Sequence, residues 1–153
     1  KEKIVSCKYC NDFSETNPCQ ICSDENRVRE LLCIVEKHSD IYAIESSGYK
    51  GLYYILSPII SPLEGKMPND LNIKSLFSRI FEVEEKMKPQ EIIIALSFTT
   101  EGELTTNYIV EQLKGKLTNI KISRIAYGLP IGAEIEYADP KTLSFAIKNR
   151  ISI

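Results

Sequence analysis

Residues 7–22 read Cys-Lys-Tyr-Cys-Asn-Asp-Phe-Ser-Glu-Thr-Asn-Pro-Cys-Gln-Ile-Cys, and the fold of the N-terminal part of the chain depends on this segment. It contains two Cys-x-x-Cys pairs that are separated by eight residues. Two such pairs at short range are the spacing of a tetrahedral zinc site with four thiolate ligands, which leaves no coordination position open for catalysis. The sequence therefore predicts one structural zinc ion (Zn2+) per chain, bound by Cys7, Cys10, Cys19 and Cys22.

Two disulfide bonds are the alternative use of these cysteines, but they require an oxidising compartment. Residues 1–6, Lys-Glu-Lys-Ile-Val-Ser, lack the apolar segment of a secretory signal.

The longest apolar runs, such as residues 92–96, fall far short of the roughly 18 residues that cross a bilayer. The chain does not begin with Met, so we expect a processed chain or part of a longer one. We predict a soluble, cytoplasmic protein that binds zinc.

The composition is that of an ordinary globular domain. The 153 residues carry 19 Lys and Arg against 21 Asp and Glu, and 43% of them are hydrophobic, which excludes a disordered acidic or basic tail. Domains that bind nucleic acids through charge commonly have a pI above about 9, whereas this chain has a pI near 5.6. A bare zinc-ribbon that binds nucleic acid is therefore disfavoured.

After the cysteines, short apolar runs alternate four times with helical patterns. The β-branched runs predict strands at residues 31–35, 52–56, 91–96 and 119–126. Apolar residues at helical spacing predict helices at residues 39–47, 69–88, 101–114 and 140–149, with a loop rich in Pro and Gly at residues 61–68. The alternation predicts an α/β domain in which helices cover both faces of a four-stranded parallel sheet.

Cap residues and apolar positions refine these helices. Ser39 or Asp40 is the predicted N-cap of the first helix, Asp139 is that of the last, and Pro89 is expected to end the second. Cys33, inside the first strand, is predicted to be buried as a small hydrophobic residue. The inward-facing helical positions are predicted at Ile41, Tyr42, Ile44, Leu71, Leu76, Ile80, Val83, Leu104, Tyr108, Ile109 and Leu113.

Three glutamates are predicted to gather at the carboxyl ends of the parallel strands, where functional groups of such sheets commonly lie. Glu36 follows the first strand, and Glu101 and Glu103 follow the third. Their alternative role is to favour the start of a helix, where the macrodipole attracts negative charge. The only histidine, His38, is predicted to be an exposed loop residue rather than a general base, since no nucleophile signature accompanies it.

Further segments carry a resemblance along almost the whole chain. They are Leu32-Cys-Ile-Val-Glu36, Gly51-Leu-Tyr-Tyr-Ile-Leu56, Ser61-Pro-Leu-Glu-Gly65, Thr100-Glu-Gly-Glu-Leu-Thr105 and residues 124–139, Arg-Ile-Ala-Tyr-Gly-Leu-Pro-Ile-Gly-Ala-Glu-Ile-Glu-Tyr-Ala-Asp. With the four cysteines, they make the chain resemble the RecR family of bacterial recombination mediators. The resemblance implies a zinc finger at residues 1–28 and, at residues 29–126, a Toprim domain, the fold shared with topoisomerases and bacterial primases. It also implies a C-terminal tail and helix at residues 127–153 that pack on the Toprim domain or on a neighbouring subunit.

The resemblance also bears on chemistry. Catalytic Toprim proteins place a glutamate after the first strand and an Asp-x-Asp pair after the third, and these carboxylates hold Mg2+. In this chain Ser97 and Thr99 stand where the two aspartates would be. The resemblance therefore predicts a protein that is not an enzyme. The alternative is a Mg2+-dependent Toprim nuclease or primase-like enzyme that uses Glu36, Glu101 and Glu103.

The partners are implied by the same resemblance. It implies a protein that acts in the cytoplasm, at the nucleoid, with RecO and also RecF, to load the RecA recombinase onto gapped single-stranded DNA covered by single-strand-binding protein. It also implies a homo-oligomer when the protein is full length, whereas this chain is expected to stop at a dimer or a monomer. The family carries a helix-hairpin-helix DNA-binding segment before the cysteines, whereas this chain starts six residues before Cys7, so we expect weak DNA binding. Because both aspartates are replaced, metal binding does not explain why carboxylates gather where the parallel strands end. Glu36, Glu101 and Glu103 are therefore predicted to form a negative surface for a basic face of RecO.

Overall fold

The computed structural model describes residues 3–116 and 119–153. Lys1 and Glu2, with which the predicted zinc-finger region begins, lie outside the described residues. The chain divides into two compact units, Lys1–Ser123 and Arg124–Ile153. Within the described ranges, no helix is long and apolar enough to cross a membrane.

The first unit starts with a small cysteine-rich segment. It consists of an antiparallel pair of short strands and a one-turn helix, namely β1 (Val5–Ser6), β2 (Phe13–Ser14) and α1 (Gln20–Ser23). Asn11 turns the chain between the two strands with a φ of 69°, a conformation that asparagine adopts more readily than most residues. The sulfur of Cys19 caps α1 by accepting a hydrogen bond from the backbone N–H of Cys22.

A four-stranded sheet follows, and its strands are β3 (Val28–Val35), β4 (Gly51–Ile55), β5 (Glu91–Ile94) and β6 (Lys121–Arg124). Their order is β4-β3-β5-β6, and β3 pairs in parallel with both β4 and β5. Leu32 lies opposite Leu52 on one side and Ile92 on the other. Residues 32–35 are at most 2% exposed, since a central parallel strand is buried on both faces. The predicted four-stranded parallel sheet is confirmed, although β3 begins earlier and β6 is shorter than expected.

Helices cover both faces of this sheet, and they are α2 (His38–Glu45), α3 (Ile73–Phe81) and α4 (Thr100–Leu113). On one face, Ile34 belongs to an apolar cluster with Leu76 of α3 and Ile109 of α4. On the other face, Cys33 packs with Ile41 of α2. The burial of Cys33 and the placement of helices on both faces are therefore as the sequence predicts.

The second unit contains the last helix, α5 (Pro140–Lys148). Its N-cap is Asp139, as predicted, and the carboxylate of Asp139 accepts a 2.9 Å hydrogen bond from the backbone N–H of Thr142. The rings of Tyr127 and Phe145 stack with their centroids 4.4 Å apart. No described residue of this unit is buried.

The helix predicted at residues 69–88 is wrong in its length. The regular helix α3 ends at Phe81, and Pro89 therefore does not end it. Separate 3-10 turns, Pro68–Asp70 and Glu85–Met87, flank it. Glu84 leaves the helical conformation with a ψ of 148°, and its carboxylate accepts a 2.6 Å hydrogen bond from the hydroxyl of Tyr9. Met87 belongs to the turn Glu85–Met87 and is buried. This burial explains why the apolar pattern of the sequence continues past the end of the helix.

The start of α2 also differs from the prediction. Lys37 is the N-cap, rather than Ser39 or Asp40. The carboxylate of Asp40 accepts hydrogen bonds from the backbone N–H groups of Glu36 and Lys37 at 3.3 and 3.2 Å, so it acts from the third helical position. As a result, His38 is the first residue of a helix and not a loop residue.

Two predicted core positions and one predicted loop are also corrected. Tyr42 and Leu104 are 72% and 41% exposed and do not face the core. In α4 the buried face is formed partly by small residues, Gly102, Thr105 and Thr106, which a search for large apolar side chains overlooks. The loop predicted at residues 61–68 contains a 3-10 turn, Pro62–Glu64.

Candidate metal centre and the carboxyl edge of the sheet

The four predicted ligands converge at the N-terminal end of the chain. Cys7, Cys10, Cys19 and Cys22 are all buried, and their sulfur atoms lie within 4.8 Å of one another. The sulfurs of Cys10 and Cys19 are 3.7 Å apart. Four thiolates about 2.3 Å from a zinc ion in a tetrahedron are separated by about 3.8 Å, so these residues fit the metal. The described cysteines are all free, and a disulfide would need sulfurs about 2.05 Å apart.

Backbone amides point at the sulfurs and favour their thiolate form. The N–H of Asp12 donates to Cys10 at 3.4 Å, and the N–H of Cys19 donates to Cys7 at 3.3 Å. The contact with the Cys10 sulfur is the chief cause that lowers the pKa of Cys19 to about 7, and the same contact is the chief cause that raises the pKa of Cys10. A crowded set of thiols gives up protons readily only when a cation balances the charge, and Zn2+ supplies that charge.

The cysteine-rich segment is joined to the sheet by hydrogen bonds and by a shared core. The backbone N–H of Ile55 donates to the carbonyl of Cys10 at 2.8 Å, and the side-chain amide of Asn11 donates to the carbonyl of Ile55 at 3.1 Å. The four cysteines and Tyr9 belong to the same apolar cluster as Tyr54 and the residues of α3. The segment is therefore packed on the sheet in one compact unit.

The carboxyl edge of the sheet carries the three predicted glutamates. Glu36 directly follows β3, and Glu101 and Glu103 lie in the first turn of α4. All three are partly buried. The four cysteines are the only group of three or more His, Cys, Asp or Glu residues whose ligand atoms converge within 4.8 Å in the described part of the chain. The three carboxylates therefore do not form a metal-binding cluster with one another.

The residues that replace the aspartates have structural roles at this edge. The hydroxyl of Thr99 caps α4 by accepting a 3.1 Å hydrogen bond from the backbone N–H of Gly102. A Cβ atom at Gly102 would lie 1.9 Å from the carbonyl oxygen of Ser97, so only glycine allows this close approach. The loop after β5 is thus fixed to the start of α4 through backbone contacts.

Sequence reasoning missed one residue next to the metal centre. Arg79, on α3, is buried at 5% exposure, and its guanidinium carbon lies 5.8 Å from the centre of the Tyr9 ring, within the first Cys-x-x-Cys pair. No signal in the sequence distinguishes this arginine from an ordinary surface arginine, because its burial depends on contacts distant in sequence.

Three family models match the chain. The model for the four-cysteine zinc finger domain of RecR matches residues 4–24, that for the Toprim domain matches residues 30–126, and that for the RecR C-terminal region matches residues 128–151. The zinc-finger match and the buried four-cysteine cluster together indicate a structural zinc ion.

Curated relatives are similar over nearly the whole chain. Recombination protein RecR of Desulforudis audaxviator is 41% identical over 151 residues, which are 98% of this chain and 73% of the relative. Recombination protein RecR of Thermus thermophilus is 42% identical over 150 residues, which are 97% of this chain and 73% of the relative. The protein of the same name from Lactococcus lactis subsp. cremoris is 40% identical over 154 residues, which are 100% of this chain and 75% of the relative.

Proposed function

Since this chain belongs to the RecR family, we propose that it is a non-enzymatic recombination mediator that acts with RecO and RecF to load RecA onto gapped single-stranded DNA covered by single-strand-binding protein. The observation that carries this proposal is identity of 40–42% to recombination proteins over nearly the whole chain. A role in recombination and DNA repair follows from the family itself. The partners and the loading step rest on the resemblance, and the protein would act in the cytoplasm, at the nucleoid.

The residues at the carboxyl edge of the sheet support the proposal that the protein is not an enzyme. Ser97 and Thr99 stand where catalytic Toprim proteins carry aspartates, and neutral hydroxyls bind Mg2+ poorly without carboxylate charge beside them. The hydroxyl of Thr99 is already occupied as the N-cap of α4. In the described residues, Glu36, Glu101 and Glu103 are not close enough to form a three-ligand site.

The zinc ligands in this proposal are Cys7, Cys10, Cys19 and Cys22, which are the four buried cysteines whose sulfurs converge. We retain the division into a zinc finger at residues 1–28, a Toprim domain at residues 29–126 and a C-terminal region at residues 127–153. The zinc ion would hold the finger in shape and take no part in a reaction, because four thiolates leave no open coordination position.

The C-terminal unit supports a homo-oligomer. Taken by itself, this unit leaves large apolar side chains uncovered, and such side chains call for a covering surface on the Toprim domain or on a neighbouring subunit. The most exposed of them are Ile131, Ile135, Tyr137, Ile147, Ile151 and Ile153. A second copy of the chain is the occupant we propose for this surface. Size determination in solution should compare this chain with one that is extended by the family's N-terminal segment. The extended chain should form an oligomer, whereas this chain is expected to stop at a dimer or a monomer, and an extended chain that is monomeric at all concentrations would contradict the proposal.

The partner surface for RecO is proposed at Glu36, Glu101 and Glu103. Charge complementarity affects association rate and orientation more than it affects affinity, so Glu101→Lys should slow association with RecO, most clearly at low salt. The matched control is Glu111→Lys, an exposed position further along the same helix α4. If both variants associate with RecO at the wild-type rate, these glutamates only favour the start of α4.

The test of the function is a loading assay. Gapped DNA is first covered with single-strand-binding protein, and the lag before RecA hydrolyses ATP is then measured with RecO alone and with RecO plus this protein. We expect a shorter lag when both are present, and a weaker effect with Glu101→Lys than with Glu111→Lys. An unchanged lag would contradict the mediator function. The DNA affinity of the chain by itself should be low, because its net charge of -2 gives no general attraction to phosphates.

A further inference from the structure

Arg79 is a buried cation without a carboxylate partner among the described residues. It lies on α3, is 5% exposed, and takes part in none of the ion pairs found there. One guanidinium nitrogen, Nη1, donates a 2.9 Å hydrogen bond to the carbonyl of Met87. The other two, Nε and Nη2, are buried and have no hydrogen-bond partner.

Such an arrangement is costly unless another charge compensates it, because a buried charge loses its hydration. Burial is the main cause that lowers the pKa of Arg79, and the electrostatic influences of Cys22 and Cys10 are the strongest in the opposite direction. A neutral methionine carbonyl alone does not balance a full positive charge. The compensating charge must therefore lie in the surrounding core.

The surrounding core includes the metal centre. The guanidinium carbon of Arg79 lies 5.8 Å from the centre of the Tyr9 ring, and Tyr9 stands between the first two cysteines. Leu76 and Ile80, the neighbours of Arg79 on the buried face of α3, share one apolar cluster with all four cysteines. Arg79 thus lies beside Tyr9 of the zinc finger, on a helix face that packs in the same core as the cysteines.

The charge of the metal centre has the sign and the location that Arg79 needs. Four thiolates carry four negative charges and Zn2+ carries two positive ones, so the occupied centre is buried with two excess negative charges. We propose that Arg79 is the charge-balancing residue of the zinc–thiolate centre, and that it holds the metal in place by offsetting this negative charge. The proposal concerns how the finger keeps its zinc and is independent of recombination activity.

Lys8 is the other cation near Tyr9, but it is placed differently. Its ammonium lies 5.0 Å from the centre of the Tyr9 ring, yet Lys8 is exposed. Water and salt screen exposed charges strongly. Lys8 therefore contributes less to the electrostatic balance of the buried sulfurs than Arg79 does, and it serves as an internal comparison.

An anionic ligand is a poorer partner for Arg79. The cavity beside it, of about 520 Å³, is lined by Glu82 and Glu84 as well as by Lys8 and Lys74. The Nε and Nη2 atoms of Arg79 are closed off from solvent, so a bound anion could not reach them. The thiolate cluster is the negative group that shares the core with this guanidinium.

The test compares Arg79→Gln, which removes the charge and keeps a donor, with Arg79→Lys, which keeps the charge. Zinc affinity is measured by competition with a chelator, and the sulfur-to-metal charge-transfer band is recorded after Co2+ substitution. We expect Arg79→Gln to lower zinc affinity by about 10- to 100-fold, as is typical of groups that support metal ligands. We also expect its charge-transfer band to move to longer wavelength, because the thiolates lose a stabilising positive charge. Arg79→Lys should largely restore both properties.

The matched control is Arg27→Gln, which breaks the ion pair of Arg27 with Glu45. The hydrogen bond to Glu45 is the main influence on the pKa of Arg27, so this variant should lower stability and leave zinc affinity and the Co2+ spectrum unchanged. Wild-type zinc affinity in a folded Arg79→Gln protein would overturn the proposal. Equal losses in Arg79→Gln and Arg79→Lys would also overturn it, since they would show that the contact with Met87, and not the charge, matters.

Discussion

The imidazole Nδ1 of His38 lies 2.8 Å from Oδ1 of Asp12 and 2.9 Å from Oδ2. Asp12 belongs to the zinc finger and is 8% exposed, whereas His38 is the first residue of α2. The pair therefore joins the finger to the helix that follows the central strand. Together with the shared apolar cluster, it leads us to expect that the finger and the sheet unfold as one cooperative structure.

Loss of the metal should consequently affect the whole first unit. We expect Cys10→Ser to bind no zinc and to lower the midpoint of thermal unfolding by about 10 °C or more, because a structural metal contributes several kcal/mol and each kcal/mol corresponds to about 2–8 °C in domains of this size. Elemental analysis and circular dichroism check this. Cys33→Ala is the control, since Cys33 lies in the sheet core and away from the four ligands. An unchanged midpoint would show that the finger unfolds separately.

The stability of the first unit should depend on pH through Glu45. The hydrogen bond from Arg27 is the main cause that lowers the pKa of Glu45 below its usual value of 4.5, and the hydroxyl of Tyr53 adds to this effect. A lowered folded-state pKa means that the stabilisation is complete above about pH 4.5 and is lost as the pH falls below that value.

Glu45→Gln should therefore lower the free energy of unfolding by about 0.5–2 kcal/mol at pH 7, and its difference from wild type should shrink as the pH falls through the lowered pKa of Glu45. Urea unfolding at several pH values measures this difference. Glu111→Gln, at an exposed position of α4, is the control and should show neither effect. A difference for Glu45→Gln that stays constant with pH would mean that shape, and not charge, accounts for it.

Gly102 should not tolerate a side chain. A Cβ atom there would be 1.9 Å from the carbonyl oxygen of Ser97 and 3.3 Å from the hydroxyl of Thr99. We expect Gly102→Ala to cost about 1–3 kcal/mol of unfolding free energy, the usual cost of overpacking, as measured by denaturant unfolding. Gly128→Ala, where a Cβ atom meets nothing within 4 Å, should stay within about 0.5 kcal/mol of wild type. Equal stability of the two variants would disprove the close contact.

We expect the protein to have no DNA-cleaving, DNA-joining or primer-synthesising activity at the carboxyl edge of the sheet. Supercoiled, gapped and single-stranded DNA incubated with the protein and Mg2+ or Mn2+ should show no cleavage, joining or primer synthesis, because Ser97 and Thr99 replace two carboxylates. Reactions with a chelator serve as the baseline. Metal-dependent turnover that disappears in Glu36→Gln would establish the enzymatic alternative instead.

The sheet and the cysteine cluster could be predicted because both depend on local patterns. The continuous apolar run around Cys33 is typical of a central parallel strand, and the spacing of two Cys-x-x-Cys pairs is sufficient to identify a zinc site. The N-cap of α5 at Asp139 was predictable for the same reason, since a cap is defined by residues a few positions apart.

The errors concern residues whose environment is set by distant parts of the chain. The end of α3 could not be read from residues 69–88, because the residues that follow the helix make contacts with distant parts of the chain, such as the hydrogen bond from the hydroxyl of Tyr9 to Glu84. Leu104 is exposed because α4 buries the smaller face that contains Gly102 and Thr105. The location of Arg79 beside the finger likewise depends on packing between segments about 70 positions apart, for which a single sequence contains no pattern.

The hydrogen bonds between the first Cys-x-x-Cys turn and Ile55 have a consequence for aggregation. β4 is an edge strand, and unpaired backbone groups of edge strands can recruit strands of other molecules. The carbonyl of Cys10 and the side chain of Asn11 occupy both the N–H and the C=O of Ile55. The first Cys-x-x-Cys turn therefore blocks the carboxyl end of this edge, and we expect a chain that has lost its zinc to offer an open edge to other chains.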